Sequence, residues 1–240
     1  MTGGNGIDVV VTGAGSTAIS LGNGNDYVNA GSGSVSLALG NGNDYIQLGD
    51  GSATITAGNG NNTLHTGMGS VAVVMGNGND NVQLGNGDNS VTLGNGNDYV
   101  HAGNGNNTVV VGNGNDNVQL GDGDNVVVEG NGNDYVHAGN GANFVVGGLG
   151  QHTIQLGNGN NVLVDGAVTI SSAVPGDSLR SLLNSWKGGG SAASIRPRMN
   201  VTFNTIRPNV LTAGSGRNWF VASNTKDTIN AKSSDTVTRS

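Results

Sequence analysis

Seven aspartates recur at intervals of 18 residues or a multiple of it: Asp8, Asp26, Asp44, Asp80, Asp98, Asp116 and Asp134. Asn62 interrupts the series, and His152 stands where the next acid would fall. A regular column of carboxylates is suited to binding a hard cation. If such groups stack about 5 Å apart, neighbours repel by roughly 1–3 kcal/mol at effective dielectrics between ~20 and ~80. A chain that accumulates seven of them needs positive charge between them. A divalent ion seeking six to eight oxygens fits, with carboxylates from two successive turns and backbone carbonyls as ligands.

The frame that positions the acids is a nine-residue block. From Gly4 to Asp165 the chain falls into eighteen blocks without an insertion or deletion. Glycine fills places one and three of every block, as in Gly94 and Gly96 of GNGNDYVHA (94–102). Place seven is always aliphatic: Val10, Ile19, Val28, Leu37, Ile46, Ile55 and onward to Leu163. Glycine is expected to allow φ > 0 in a tight turn at both places. Places six to eight alternate polar, aliphatic, polar, which reads as a short strand with one buried side chain. Two blocks then make one coil, with a strand in each of two facing sheets. Place nine, often Leu or Ala as in Leu48, Ala102 and Leu120, is expected to join the core.

Place five separates the two edges of such a coil. In odd-numbered blocks it holds the acid series. In even-numbered blocks it reads Thr17, Val35, Ala53, Val71, Asn89, Asn107, Asn125, Asn143 and Asn161. The acid therefore has a period of 18, and one edge carries it. Asp88 and Asp124, one place earlier, are candidates for weaker sites on the other edge. Along the acidic edge the favoured pairs are Asp26 with Asp44, Asp80 with Asp98, Asp98 with Asp116, and Asp116 with Asp134.

Taken together, the blocks resemble the repeats-in-toxin (RTX) nonapeptide, glycine-glycine-x-glycine-x-aspartate-x-aliphatic-x, as in LGNGNDYIQ (39–47). The resemblance implies an all-β parallel β-roll, with calcium held between successive turns by the aspartates named above and by loop carbonyls. It also implies a secreted, extracellular bacterial protein of type I secretion that folds outside the cell. This chain departs from the pattern in two ways. The first glycine of the motif is mostly Leu, Ala, Val, Thr or Met, and the even blocks lack the aspartate.

Composition agrees with a metal-ordered solenoid. Glycine supplies 45 of 240 residues, and there is no cysteine for disulfides or thiolate metal sites. Residues 1–174 carry thirteen acids and no Lys or Arg, whereas 175–240 carry all nine basic residues and three acids. Ordering a glycine-rich chain is entropically costly, and an ion bound only by the folded state supplies part of the difference. The chain is therefore expected to be largely disordered without calcium. No apolar run reaches the ~18 residues of a membrane span. No N-terminal segment resembles a signal peptide, which suggests a piece of a larger parent protein or another export signal.

The fold expected is a roll of about nine 18-residue coils over 1–165, a connector and capping helix over 166–190, and a degenerate β cap over 191–240. After Pro175, Leu179, Leu182, Leu183 and Trp186 lie at helical spacing, with Asp177 or Ser178 to cap the start and Gly188 the end. This helix is expected to cover Val126, Val128, Phe144, Val146, Val162 and Val164, which turn apolar on the outer face of the even strands. Gly188–Ser191 reads as a flexible joint. GSGRNWFVA (214–222) and SNTKDTINA (223–231) return to the frame, with Phe220 and Ile229 at the buried place and Asp227 at the acid place.

No nucleophile–base arrangement, zinc spacing or phosphate cradle is present, so no enzyme is read here and no catalytic residue is assigned. Nucleic-acid binding by Arg196, Arg198 and Arg207 is disfavoured. The tyrosines at place six, with Gln and His at place eight, make glycan or a cell surface a candidate partner. An alternative function is an ice- or surface-binding face built on the Asn ranks at places two and four. A second alternative is an export passenger for a larger enzyme.

Overall fold

The computed structural model describes residues 1–170, 178–205, 207–222 and 226–239. Two compact units divide the chain, Met1–Leu120 and Gly121–Ser240. In the first, every described strand is three or four residues long and pairs in parallel with the strand 18 residues away. Val28 lies opposite Ile46 in one sheet and Leu37 opposite Ile55 in the other. The roll architecture is therefore as the repeat implies.

The short strands follow from the alternation. Val28, Ile46, Leu64, Val82, Val100 and Val118 of the odd strands are fully buried. Ile19, Leu37, Ile55, Val73, Val91 and Val109 bury from the even strands. Place nine joins them, through Leu48, Leu84, Ala102 and Leu120 among others. Places seven and nine lie two residues apart and face the same side, so a strand of three or four residues suffices to fill the space.

The two glycine places have different physical causes. Gly42, at place three, has φ +154, and a Cβ there would sit on the carbonyl oxygen of Gly24 in the coil before. Gly40, at place one, has no left-handed φ, contrary to the expectation from sequence. Its Cβ would come 2.5 Å from the Gly22 carbonyl oxygen. The Gly40 position thus needs glycine because successive turns stack in contact, whereas Gly148, also at place one, has φ +70 as well.

In the second unit the coils continue past the point where the nine-residue frame breaks. Val162–Val164 pairs with Trp219–Ala222, and Gln151–Leu156 pairs with Val210–Ala213. Eleven strands of each set are present among the described residues, against nine expected. Two further coils account for the difference. One of them includes Val210–Ala213, whose block has Thr205 and Arg207 at the glycine places and so carries no repeat signature.

The segment between the in-frame blocks and these last coils forms a cover. Gly166–Ile170 pairs antiparallel with Met199–Phe203. Helix α1 (Leu179–Lys187) is capped by the Ser178 hydroxyl, which accepts the Ser181 N–H, while Ser181 returns the bond to the Ser178 N–H. Asp177, the other candidate cap, lies outside the described residues. Leu182, Leu183 and Trp186 bury against Val126, Phe144, Val146, Val162, Val164, Trp219 and Val221. The apolar outer face of the even strands is therefore covered by the helix that the sequence places there. Gly188–Ser191, read as a flexible joint, is tied by hydrogen bonds at both ends. Gly190 donates to the Ser185 carbonyl, its own carbonyl accepts from Arg217, and Ser191 caps helix α2 (Ala192–Ile195).

Candidate metal centre

Asp134 lies inside the strand Asn133–Ala138, whereas Asp8, Asp26, Asp44, Asp80, Asp98 and Asp116 each sit at the end of a turn, immediately before the strand. One oxygen, Oδ1, accepts the backbone N–H of the equivalent residue one coil earlier. Asp8 donates to Asp26, Asp26 to Asp44, Asp80 to Asp98 and Asp98 to Asp116, at 2.8–2.9 Å. Place five thus carries the main-chain register of the edge as well as its charge.

The second oxygen is different. Oδ2 of Asp26, Asp44, Asp80 and Asp98 is buried and has no hydrogen-bond partner. The four residues are each 2% exposed, so water does not solvate the charge. Asp8 also leaves Oδ2 buried without a partner, though the residue as a whole is half-buried. Burial pushes the Asp98 carboxyl up to about 6, with the Asp80 charge adding to it and the Asp80 N–H opposing. Burial raises Asp44 and Asp80 in the same direction. Leaving one buried carboxylate oxygen unsatisfied costs more than a hydrogen bond returns, and a file of them demands a cation.

The seven proposed ligands divide as follows. Asp8, Asp26 and Asp44 are consecutive, as are Asp80, Asp98 and Asp116, and Asn62 parts the two groups. Asn62 keeps the register, since Asp44 donates to its Oδ1. Its amide nitrogen donates to the Gly60 carbonyl at 3.1 Å and to Asp80 Oδ1 at 2.9 Å. Asp134, in the second unit, has a different setting. Its Oδ2 lies 3.0 Å from His152 Nδ1, with Glu129 3.7 Å from the same nitrogen. Ligand atoms of this buried trio lie within 4.8 Å of one another. His152 Nε2 accepts the Gly150 N–H at 3.0 Å, so Nδ1 is the nitrogen that carries the proton. A proton-bearing nitrogen therefore faces the acids at the position of a metal ligand.

Sequence reasoning missed that trio. Glu129 stands at place nine, where the frame predicts an aliphatic, and with His152 at the acid place this was the available signal. It also missed Asn209, whose Oδ1 accepts the His152 N–H across an interval of 57 residues and whose amide donates to buried Asp165. Asp227, read at the acid place, does continue the series by accepting the Asn209 N–H.

On the even edge, the candidates for weaker sites, Asp88 and Asp124, hold the turn register through Oδ1 as the odd-edge acids do. Asp88 Oδ1 accepts the Asn106 N–H, and Asp124 Oδ1 accepts the Ala142 N–H. Asp124 also pairs with Lys187, while Arg180 donates to its carbonyl. Burial raises the Asp124 carboxyl, but these cations and hydrogen bonds outweigh it and hold the group below the usual range.

On the turns, the Asn ranks are tied to the backbone. Asn23 Oδ1 accepts the Asn41 N–H, Asn41 the Asn59 N–H and Asn43 the Asn61 N–H, at 2.7–2.8 Å. On the outer face of the odd strands, Tyr27 and Tyr45 stack at 5.4 Å.

A parallel β-roll whose turns line one edge with buried, partly unsatisfied carboxylates defines a cation-binding solenoid. The family model for the RTX calcium-binding nonapeptide repeat matches residues 2–37, 39–70, 76–109, 101–133 and 130–163. The chain belongs to that family, and calcium is the ion its repeats bind. No curated protein and no solved structure matches it.

Proposed function

We propose that this chain is an exported structural or adhesive module whose roll becomes ordered when calcium binds along the odd edge. The observation that carries the reading is the file of buried Oδ2 atoms without partners at Asp26, Asp44, Asp80 and Asp98. Asp8, Asp26, Asp44, Asp80, Asp98, Asp116 and Asp134 are the ligands assigned, together with turn carbonyls of the same edge. Calcium supplies positive charge and tolerates the irregular oxygen set that a turn provides. The protein's residues do the rest. Oδ1 holds the coil register, the glycines allow turns to stack in contact, and the apolar row excludes water from the sheet interior.

In this reading residues 1–165 bind the ions, 166–190 connect and cover, and 191–240 close the roll. No catalytic role is assigned. A chain unfolded in a low-calcium cytoplasm and ordered in millimolar extracellular calcium suits export in the unfolded state. Calcium titration of the metal-stripped chain, followed by calorimetry for binding and circular dichroism for structure, tests this. Heat of binding with a coincident gain of β-structure is expected. Absence of both would overturn the proposal.

A further inference from the structure

The even edge binds its turns together with the same oxygens, but by another means. Asn89 donates through Nδ2 to the carbonyls of Gly85 and Gly87 and to Asn107 Oδ1, at 3.3, 3.0 and 3.0 Å. Asn125 repeats the pattern with Gly121, Gly123 and Asn143. Asn143 repeats it with Gly139, Gly141 and Asn161. Asn161 does so with Gly157, Gly159 and Asn218. Asn218 donates to Gly214 and ends the second unit's series on Asp235. All of these asparagines are buried.

Three oxygens therefore surround the amide nitrogens of Asn89, Asn125, Asn143 and Asn161: the glycine carbonyls four and two residues earlier, and the Oδ1 of the next coil. On the odd edge the repeat gives an aspartate the same offsets and the same Oδ1 acceptor geometry. There, however, Oδ2 stands in place of the amide nitrogen, and at Asp26, Asp44, Asp80 and Asp98 it is buried without a hydrogen-bond partner. Exchanging –NH2 for –O⁻ changes a saturated contact into one that only a cation can satisfy. Asn62 shows both halves of the rule on the odd edge itself, since its amide bonds Gly60 and Asp80 in the mode of the even-edge asparagines.

We infer that asparagine at place five is a built-in substitute for the calcium ion. Metal is then confined to the odd edge, the coil at Asn62 is sealed without its own ion, and the even edge from Asn89 onward needs no ion of its own. The inference rests on the proposed calcium function but makes a separate claim: the choice between Asp and Asn, coil by coil, sets how much of the roll depends on metal. The two side chains are nearly the same size, so the choice is one of charge and donor chemistry rather than of packing.

The test compares the full chain with Asp98→Asn, Asp98→Ala and Asn143→Asp. Calcium stoichiometry is measured by equilibrium dialysis, and structure in chelator by circular dichroism and amide hydrogen exchange. Asp98→Asn is expected to bind about one ion fewer yet to keep more β-structure in chelator than the parent. Asp98→Ala loses the ion without that gain, because it also removes the Oδ1 acceptor of the Asp80 N–H. Asn143→Asp is expected to lose protection around Asn125 and Asn161 in chelator and to recover it in calcium. An Asp98→Asn chain as disordered in chelator as Asp98→Ala would overturn the inference, as would an Asn143→Asp chain indifferent to chelator. A parent that binds no calcium would instead overturn the calcium function on which the inference rests.

Discussion

Protons should partly replace calcium in this roll. Burial holds the Asp98 carboxyl at about 6 against an ordinary 3.8, which corresponds to about 3 kcal/mol favouring the neutral form in the folded, metal-free chain. The unfolded chain ionises at about 4. Between those two values the folded state therefore binds more protons, and stability falls as pH rises. The loss begins near pH 4 and is complete just above pH 6. Asp44 and Asp80 are raised by the same cause and add in the same direction. In chelator, lowering the pH from 7 to 5 should increase β-structure and raise the urea midpoint. In calcium the dependence reverses, because ion binding must displace the proton, so calcium affinity should weaken below pH 6. Circular dichroism at pH 5, 6 and 7, with and without calcium, reads both arms. Metal-free β-structure that stays flat or decreases from pH 7 to pH 5 would refute the claim that these carboxyls are buried and unsatisfied.

Other perturbations separate the parts of the account. Gly42→Ala combines a left-handed φ with a collision against the Gly24 carbonyl, so a loss above about 4 kcal/mol is expected, read by urea unfolding in saturating calcium. A milder effect would mean that adjacent turns do not touch. Trp186→Ala empties a fully buried site against Trp219 and removes the donor to the Arg217 carbonyl, which should cost about 3–5 kcal/mol. Protease sensitivity confined to 178–222 would accompany it, and an unchanged melting curve would contradict the covering role of α1. Asn62→Asp should restore the interrupted column, raising calcium stoichiometry and lowering stability in chelator. Stoichiometry unchanged from the parent would show that the amide was not occupying an ion's place.

Much of this was legible in the sequence because the repeat carries it. Strict spacing gave the coil length, the buried row at place seven and the one-sided acid column. The helix was legible because Leu182, Leu183 and Trp186 have a 3.6-residue period and Val126, Phe144 and Val162 had no other cover. What escaped the reading has local causes. The last two coils were legible only in part, since 214–222 and 223–231 return to the frame whereas the block at Thr205–Ala213 has neither glycine. Glycine at place one looked like a demand for φ > 0, whereas Gly40 is needed for clearance alone. Asn at place five looked like a missing ligand. Only the three bonds from the amide nitrogens of Asn89, Asn125, Asn143 and Asn161 reveal it as a filled position. His152 was similarly concealed, since its role depends on which nitrogen the Gly150 N–H engages.

The most direct measurement is far-ultraviolet circular dichroism of the metal-stripped chain titrated with calcium, with magnesium as the control. Magnesium is held to a tight octahedron and gives up water reluctantly, so it should not fill a roomy edge of carboxylates and carbonyls. A β-spectrum that develops with calcium, saturates and is not produced by magnesium is the result expected. A chain fully β-structured in chelator at pH 7, and unchanged by either ion, would contradict the claim that the odd-edge carboxylates require calcium.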